Sequence, residues 1–459
     1  MLRIGRESQR NCQGVTRREF LQAGSLGALG LTWADLLRLR AIGGAADSPV
    51  RSVVLVWLWG GPSHLDTFDM KPAAPDEYRG PFTLTRTRVS GIHICELLPR
   101  LAKLTDKYSI LRSLHCASND HGVAGTIGLT GSIAGSINLG GMTAVGSARP
   151  CTGSIVSRFR ASSNVTTMLP RFIVVGGRLH QGKKPIAGEG GGKLGAVYDP
   201  FRLEYDVDQG AKAPAIALAE DVPVARLDDR RGLLRSLDQA DQRIEARRPI
   251  QSLDGFYDQA FSLLMAGPAK KTFDLAGESD AVRDRYGRFR FGQSCLLARR
   301  LVEAAVPFVQ VNWSAHVEAE EDAGDGGWDM HYRNFEVLQD RHLWMLDQTL
   351  SAFLEDLDAR GLLASTLVLA VGEFGRTPKI NPHAGRDHWE KCYSAVMAGG
   401  GVVGGRVVGS SDALGEHPRE RPLTPADLAA TVLDRCGVSV AGLQQFQVQP
   451  EGEVIRELF

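Results

Sequence analysis

Two polar segments of this chain directly follow apolar runs that are long enough to be buried strands. Residues 60–69, GGPSHLDTFD, come after the run 53–58, and residues 372–389, GEFGRTPKINPHAGRDHW, come after the run 367–371. Both segments carry carboxylate and imidazole groups, and the second adds guanidinium groups. Because ligands of open α/β sheets bind outside the carboxyl ends of the strands, we predict that the two segments contribute to one site.

Residues that bind metals or transfer protons occur in five predicted loops. Carboxylate oxygens and imidazole nitrogens bind divalent ions, and two ions about 4 Å apart stabilise both oxygens of an in-line displacement. A guanidinium suits a bidentate contact with phosphate, sulfate or carboxylate. The five groups are Ser63, His64 and Asp66; His115 with Asn119, Asp120 and His121; Asp329 and His331; Glu373 and Arg376; and Arg386, Asp387 and His388.

Several of these residues also have structural interpretations. Asp66 can cap a turn, and Asp329 can be the N-cap of the helix predicted to follow it. Glu373 can simply pair with Arg376. Five further histidines lack comparable neighbours, and we interpret them as structural or solvent-exposed: His93, His180, His316, His342 and His417.

The elements that must position these loops alternate along the chain. Alternation of strands and helices predicts a largely parallel sheet with helices on both faces, in one large domain over residues 47–459. A Gly-rich stretch, 178–220, is predicted to be irregular and to form, with the charged helix after it, an insertion at about 178–250. The predicted strands are 53–59, 108–113, 171–176, 306–312, 365–371 and 393–398; the predicted helices are 96–105, 121–130, 152–161, 223–247, 254–265, 290–305, 332–359 and 425–436.

The N-terminus has the features of an export signal. Residues 16–21, TRREFL, form a twin-arginine motif, followed by the apolar stretch 23–33 and the small residues 41–46. The alternative is a chance Arg pair on a short amphipathic helix. We predict a signal peptide over residues 1–46, the twin-arginine translocation machinery as a partner, and a periplasmic or extracellular mature protein.

The mature chain would carry little net charge. Residues 1–46 contain seven Arg and three acidic residues, so their removal leaves 46 basic and 50 acidic side chains. This balance gives no electrostatic footprint for nucleic acid. No later run is long enough for a membrane span. The six remaining cysteines are scattered without a CxxC pair, which supports neither a zinc ribbon nor a redox pair. Disulfides can form in an oxidising periplasm, but the sequence does not give their pairing.

Five features of the chain occur together: the twin-arginine leader, GGPSHLDTFDMKP, FGQSCLLARRLVEA with VPFVQVNW, GWDMH, and GEFGRTPKINPHAGRDHW. In this combination they resemble a family of exported bacterial proteins of unknown function that is grouped with the alkaline phosphatase and sulfatase superfamily. The similarity covers nearly the whole mature chain. It implies a three-layer α/β/α, alkaline phosphatase-like fold with a bimetal or calcium site, and hydrolysis or transfer of phosphate or sulfate esters.

The resemblance assigns roles to particular residues. Asp66 resembles the metal Asp after the first strand, Asp329 and His331 resemble an Asp/His metal pair, and His388 resembles the last metal His. Glu373 lies where the superfamily has an Asp-His pair, so it supplies one ligand instead of two. His121 stands where the superfamily carries a Ser, Thr or Cys nucleophile.

That departure leaves three alternatives open. His121 is itself a ligand or nucleophile, Ser118 approaches from a shifted loop, or the transfer activity is lost. A nucleophilic His is chemically allowed, but a metal-ligand role is favoured.

We therefore expect an exported, metal-dependent hydrolase of phosphate or sulfate esters, with a small molecule or a polysaccharide as substrate. The alternative is a non-catalytic periplasmic binding or assembly protein that keeps the fold and an anion pocket. The divalent metal would be zinc, manganese or calcium. The expected metal ligands are Asp66, His121, Asp329, His331, Glu373 and His388; the catalytic residues are His121 and Arg376; and the substrate-binding residues are Ser63, His64, Arg376 and Arg386.

Overall fold

The computed structural model describes residues 50–133, 149–161, 169–182, 184–206, 210–212, 271–318 and 326–459. The predicted signal peptide lies outside these residues. The predicted helices 223–247 and 254–265, and with them most of the predicted insertion, lie outside as well.

The centre of the described chain is a nine-stranded sheet. Its strands are, in chain order, β1 (Ser52–Trp57), β2 (Tyr108–Leu114), β3 (Phe172–Val175), β4 (Phe201–Asp206), β5 (Gly210–Lys212), β6 (Phe308–Asn312), β7 (Thr366–Val371), β8 (Tyr393–Ala398) and β9 (Val407–Val408). The order across the sheet is β9-β2-β8-β7-β1-β6-β3-β4-β5. Strand β8 runs antiparallel to both of its neighbours and β5 runs antiparallel to β4, whereas the other pairs are parallel.

Helices cover both faces of this sheet because its strands are apolar on both sides. Along β1, Val53 and Leu55 belong to one buried cluster, and Val54 and Val56 belong to the other. The longer helices are α1 (His121–Thr130), α2 (Thr152–Ala161), α3 (Asp280–Tyr286), α4 (Arg290–Glu303), α5 (Leu343–Ala359), α6 (Pro425–Arg435) and α7 (Val440–Gln445). Helices α1, α2, α6 and α7 pack in the cluster that contains Val53, and α3, α4 and α5 pack in the cluster that contains Val54. The prediction of a three-layer α/β/α fold with a mostly parallel sheet is confirmed.

The described chain also contains shorter helical turns and strand pairs. The helical turns are Asp76–Arg79, Pro99–Ala102 and Asn334–Val337, and the π-helical turn Leu338–His342 connects the last of these to α5. Four small antiparallel pairs complete the described chain: Leu84–Arg86 with His93–Cys95, His180–Gln181 with Lys184–Pro185, Gly375–Arg376 with His388–Trp389, and Ser410–Ser411 with Pro418–Glu420.

All six predicted strands are present in the sheet. The helices predicted at 121–130 and 152–161 have the predicted bounds, but the one predicted at 96–105 is reduced to Pro99–Ala102. The Gly-rich stretch 178–220 was expected to be irregular, and this expectation is wrong for β4 and β5. In β4 the buried Leu203 and Tyr205 flank the exposed Glu204, which is the alternation of a sheet strand with one buried face.

None of the described helices is both long and apolar enough to cross a lipid bilayer. The six cysteines beyond the predicted signal are buried free thiols: Cys95, Cys116, Cys151, Cys295, Cys392 and Cys436.

Helix α1 lies close to the sheet because two of its residues are glycines. A Cβ on Gly128 would lie 2.5 Å from the ring of Trp57, and a Cβ on Gly125 would lie 2.8 Å from the ring of Trp59. Asp120 caps the helix by accepting a hydrogen bond from the Val123 amide at 2.9 Å. The cap and the close approach hold His121, the first residue of α1, against Trp59, with ring centroids 5.5 Å apart.

We expect Gly128→Ala to lower the free energy of unfolding by about 1–3 kcal/mol, because overpacking against Trp57 outweighs the better helix propensity of Ala. Gly277→Ala is the matched control, since a Cβ there meets no atom within 4 Å. Urea unfolding of both variants checks this. A Gly128→Ala protein as stable as the control would mean that α1 does not depend on this contact.

Candidate metal centre

The polar loops meet at the edge of the sheet where β1, β2, β6 and β7 end. Strand β8 begins at the same edge because it is antiparallel to β7. The hairpin that precedes it pairs Arg376 with His388. Side chains from four separate parts of the sequence are therefore brought to one place.

Three imidazoles surround the carboxylate of Asp329. Nε2 of His331 lies 3.0 Å from Asp329 Oδ1, and Nε2 of His388 lies 3.2 Å from the same oxygen. Nε2 of His121 lies 3.3 Å from Oδ2. Ligand atoms of His121, Asp329 and His388 all lie within 4.8 Å of one another, which is close enough to share one ion.

The opposite nitrogen of each imidazole is held by an acceptor. Nδ1 of His121 lies 2.6 Å from Glu373 Oε1, and Nδ1 of His331 lies 2.7 Å from Asp387 Oδ1. Nδ1 of His388 lies 2.7 Å from the main-chain oxygen of Asn119. Each acceptor receives a hydrogen bond from the Nδ1 proton, so the Nε2 atom of a neutral ring has a lone pair that faces Asp329.

Two observations test whether a metal ion fits this group. Nε2 of His121 is buried and makes no hydrogen bond, although it lies 3.3 Å from Asp329 Oδ2. The Nε2 atoms of His331 and His388 are only 3.0 Å apart. With both protons on Nδ1, two lone pairs would face each other there, so a cation between them resolves the contact. The donor set therefore fits a metal ion.

The pKa values of Asp329 and the surrounding histidines depend on one another. Burial opposes ionisation of Asp329, but the guanidinium of Arg376 and the nearby imidazoles of His121, His331 and His388 hold the pKa of Asp329 well below its usual range. Burial alone would lower the pKa of His121, yet the carboxylates of Asp329 and Glu373 outweigh it and raise that pKa. Burial lowers the pKa of His388, which favours the neutral imidazole that binds a metal.

Arg376 is fully buried and its donors are used within the protein. Its Nη2 lies 2.6 Å from Asp329 Oδ1 and also donates to the Gly60 carbonyl. Nε donates to the Gly61 carbonyl at 2.9 Å, and Nη1 donates to the carbonyl of Arg386 at 3.1 Å. The side chain thus ties Asp329 to the loop after β1.

Asp66 lies in a different buried pair. Arg386 donates to both of its oxygens, from Nε at 2.7 Å and from Nη2 at 3.1 Å, and Asn334 Nδ2 donates to Oδ2 at 3.1 Å. The remaining donors of Arg386 go to main-chain carbonyls, including that of Tyr78 at 2.8 Å. This arrangement closes the base of the loop after β1 and does not bring Asp66 into the imidazole group.

The other expected site residues are buried. Ser63 and His64 have no exposed surface, and Nε2 of His64 donates to the Gly415 carbonyl at 2.8 Å. Glu373 stands behind His121, where it also accepts from the Gly60 amide at 3.0 Å. Of the expected metal ligands, the structure brings together His121, Asp329, His331 and His388.

Two contributors belong to the predicted polar loops but were assigned no role there. They are Asp387, which accepts from His331, and Asn119, which contacts His388 through its main-chain oxygen. Asp387 is separated from His331 by 56 positions, so their contact depends on the hairpin that folds residues 375–389 back over the edge.

Comparisons with known proteins give a family and distant structures. Residues 50–459 match the family described as "Protein of unknown function (DUF1501)". No match was found among curated proteins. Ps i-CgsB is similar at 10% identity and TM-score 0.38, over 87% of this chain and 74% of that chain. The PsFucS1 sulfatase from Pseudoalteromonas sp. is similar at 12% identity and TM-score 0.33, over 90% and 74%. The phosphonate monoester hydrolase SpPMH from Silicibacter pomeroyi is similar at 13% identity and TM-score 0.32, over 89% and 75%.

We expect Asp66→Asn to destabilise the protein by about 3–5 kcal/mol, because it leaves the charge of Arg386 buried without its partner. Its metal content, once folded, should stay at the wild-type level. Asp76→Asn is the control, since it removes the exposed ion pair with Arg79 and should change stability little. Thermal unfolding with elemental analysis measures both effects. Loss of metal at unchanged stability would return Asp66 to the set of metal ligands.

Proposed function

The chain belongs over residues 50–459 to the DUF1501 family, proteins of unknown function, and we propose that it is a metal-dependent hydrolase whose metal ion is held by His121, Asp329, His331 and His388. The observation that supports this proposal is the set of three imidazoles whose Nδ1 atoms are each held by an acceptor. Holding Nδ1 fixes both the tautomer and the ring orientation of a metal-binding His.

The donor set favours zinc among the expected metals. Three imidazole nitrogens and one carboxylate oxygen suit zinc, which is commonly four-coordinate. Calcium takes six to eight oxygen ligands, and manganese likewise prefers carboxylate, carbonyl and water. When bound, zinc would polarise the ester oxygen and lower the pKa of a water molecule.

The protein orients the proposed metal ligands and leaves the metal ion accessible from one side. Side-chain exposure rises from 0% for His121 through 10% for Asp329 to 21% for His388 and 34% for His331. We propose that the ester approaches over His331 and His388, while Glu373 holds His121 from behind. Arg376 acts as a positioning residue for Asp329, because its donors already have partners inside the protein.

We propose that water attacks the ester directly. Near the start of α1, Cys116 is buried, and burial raises the pKa of its thiol to about 11, so the thiolate is scarce at neutral pH. Ser118 Oγ accepts a hydrogen bond from the Asp120 amide at 3.1 Å as part of the turn. His121 has its Nδ1 engaged by Glu373 and its Nε2 beside Asp329, which supports a ligand role over a nucleophilic one.

The finer parts of the proposal rest on the sequence. Phosphate or sulfate esters are the proposed substrates because of the motif resemblance described above. Activity outside the cytoplasm follows from the twin-arginine motif at residues 16–21. The rival, a non-catalytic binding protein, is favoured by the absence of a Ser, Thr or Cys at the first position of α1.

The metal assignment predicts that the purified chain holds zinc, and that His388→Ala and His331→Ala each weaken zinc binding by at least tenfold while the protein stays folded. His417→Ala should bind zinc like the wild type, because His417 is exposed and contacts the ring of Trp389 instead. Elemental analysis and competition with a chromophoric chelator measure this. A wild-type protein that retains calcium or manganese but no zinc would overturn the choice of metal.

The hydrolase assignment predicts that zinc-loaded protein cleaves p-nitrophenyl phosphate or p-nitrophenyl sulfate. We expect a chelator to abolish turnover and His388→Ala to reduce kcat/KM at least 100-fold, with His417→Ala unchanged. Release of p-nitrophenol measures both. Tight zinc binding without turnover of either ester would instead support the binding-protein alternative.

A further inference from the structure

His342 lies in the core next to the loop that carries Asp329. Only 1% of the residue is exposed, and its Nε2 lies 2.8 Å from the Gly326 carbonyl and 3.0 Å from the Gly327 carbonyl. Both partners are acceptors, so Nε2 carries the proton and donates to the two carbonyls. Burial lowers the pKa of His342 to about 4, which keeps the ring neutral at physiological pH.

Two tryptophans fix the plane of this imidazole. The ring of Trp313 stacks on it with centroids 5.2 Å apart, and the ring of Trp328 meets it edge-on at 4.8 Å. Trp313 Nε1 also donates to the Gly326 carbonyl at 3.0 Å. The Gly326 carbonyl is therefore held from two sides, by an indole and by an imidazole.

The residues after Gly326 are fixed one by one up to Asp329. The Gly327 amide donates to the Glu318 carbonyl at 2.9 Å, and the Trp328 amide donates to the Trp59 carbonyl at 2.8 Å. The Asp329 amide donates to the Val317 carbonyl at 3.1 Å. A Cβ on Gly327 would lie 1.9 Å from the Val317 oxygen, so this backbone fits against its neighbour only without a side chain.

The position of His342 depends on the π-helical turn Leu338–His342. Such a turn contains one more residue than an α-helical turn, which rotates the following residues by about 100° relative to a continuous helix. π turns are rare and often occur at functional sites. Here the turn ends on the side chain that holds Gly326 and Gly327, and regular α-helix resumes at Leu343.

We propose that His342 is a positioning residue of the metal centre: its Nε2–H holds the carbonyls of Gly326 and Gly327 and thereby fixes Asp329 between His121, His331 and His388. This inference rests on the proposed function, because it assumes that Asp329 binds the metal ion. His342 does not touch the ion itself.

The test compares zinc affinity in His342→Leu and His342→Gln, using the full chain and chelator competition with zinc alone. Leu keeps an apolar side chain but removes the donor, whereas the Gln amide can donate from a similar reach. We expect zinc affinity to fall about tenfold or more in His342→Leu and to stay within about threefold of wild type in His342→Gln. His93→Leu, at an exposed position outside the site, is the control and should bind zinc normally.

A purely structural role would lower the urea midpoint of both variants without this difference in affinity. Equal zinc affinity in His342→Leu and wild type, or equal loss in the Leu and Gln variants, would overturn the proposal.

If His342→Leu does not fold, Trp313→Phe is the second variant. It removes the other donor to the Gly326 carbonyl and should weaken zinc binding by a smaller factor than His342→Leu. Wild-type zinc affinity in Trp313→Phe overturns the proposal as well. A wild-type protein that binds none of zinc, manganese and calcium would instead refute the proposed function, so the two failures are distinguishable.

Discussion

The carboxylate of Asp329 lies in a largely buried place and is surrounded by one guanidinium and three imidazoles. A carboxylate is costly to bury without such partners, because it loses its hydration. The contact with Arg376 at 2.6 Å supplies a permanent positive charge, and the histidines add nitrogens whose protonation can change. The remaining donors of Arg376 are accepted by main-chain carbonyls of the surrounding loops, which keeps the guanidinium in contact with Asp329.

Buried arginines give this edge of the sheet its rigidity. Arg376 joins the loop after β1 to Asp329, and Arg386 joins the same loop to the chain before β8 through Asp66. Each guanidinium also donates to main-chain carbonyls, so replacing either arginine with Lys would leave several acceptors without a donor. The groups around Asp329 are thus held in place by contacts within the protein.

The sequence predicted the sheet well because buried parallel strands are short apolar runs, such as Thr366–Val371, between helical patterns. It missed β4, where FRLEYD alternates between buried and exposed residues and lies inside a Gly-rich stretch. Four of the six expected metal ligands converge, since the segments that carry them meet at the edge where β1, β2, β6 and β7 end. The sequence could not separate Asp66 from Asp329, because what distinguishes them is the partner. Arg386 lies 320 positions from Asp66, and a pairing over that separation leaves no local pattern.

Because β8 is antiparallel to β7, the connection between them stays at the edge of the sheet where the polar loops meet. Between two parallel strands, the chain instead passes through a crossover, usually a helix, and the next strand begins at the opposite edge of the sheet. Here the chain leaves β7 and enters β8 without departing from that edge, so the single connection 372–392 carries Glu373, Arg376, Asp387 and His388. One connection therefore supplies His388 itself and the side chains that contact His121, Asp329 and His331. A change confined to this segment would alter the surroundings of all four residues without changing any residue of the helices that cover the sheet.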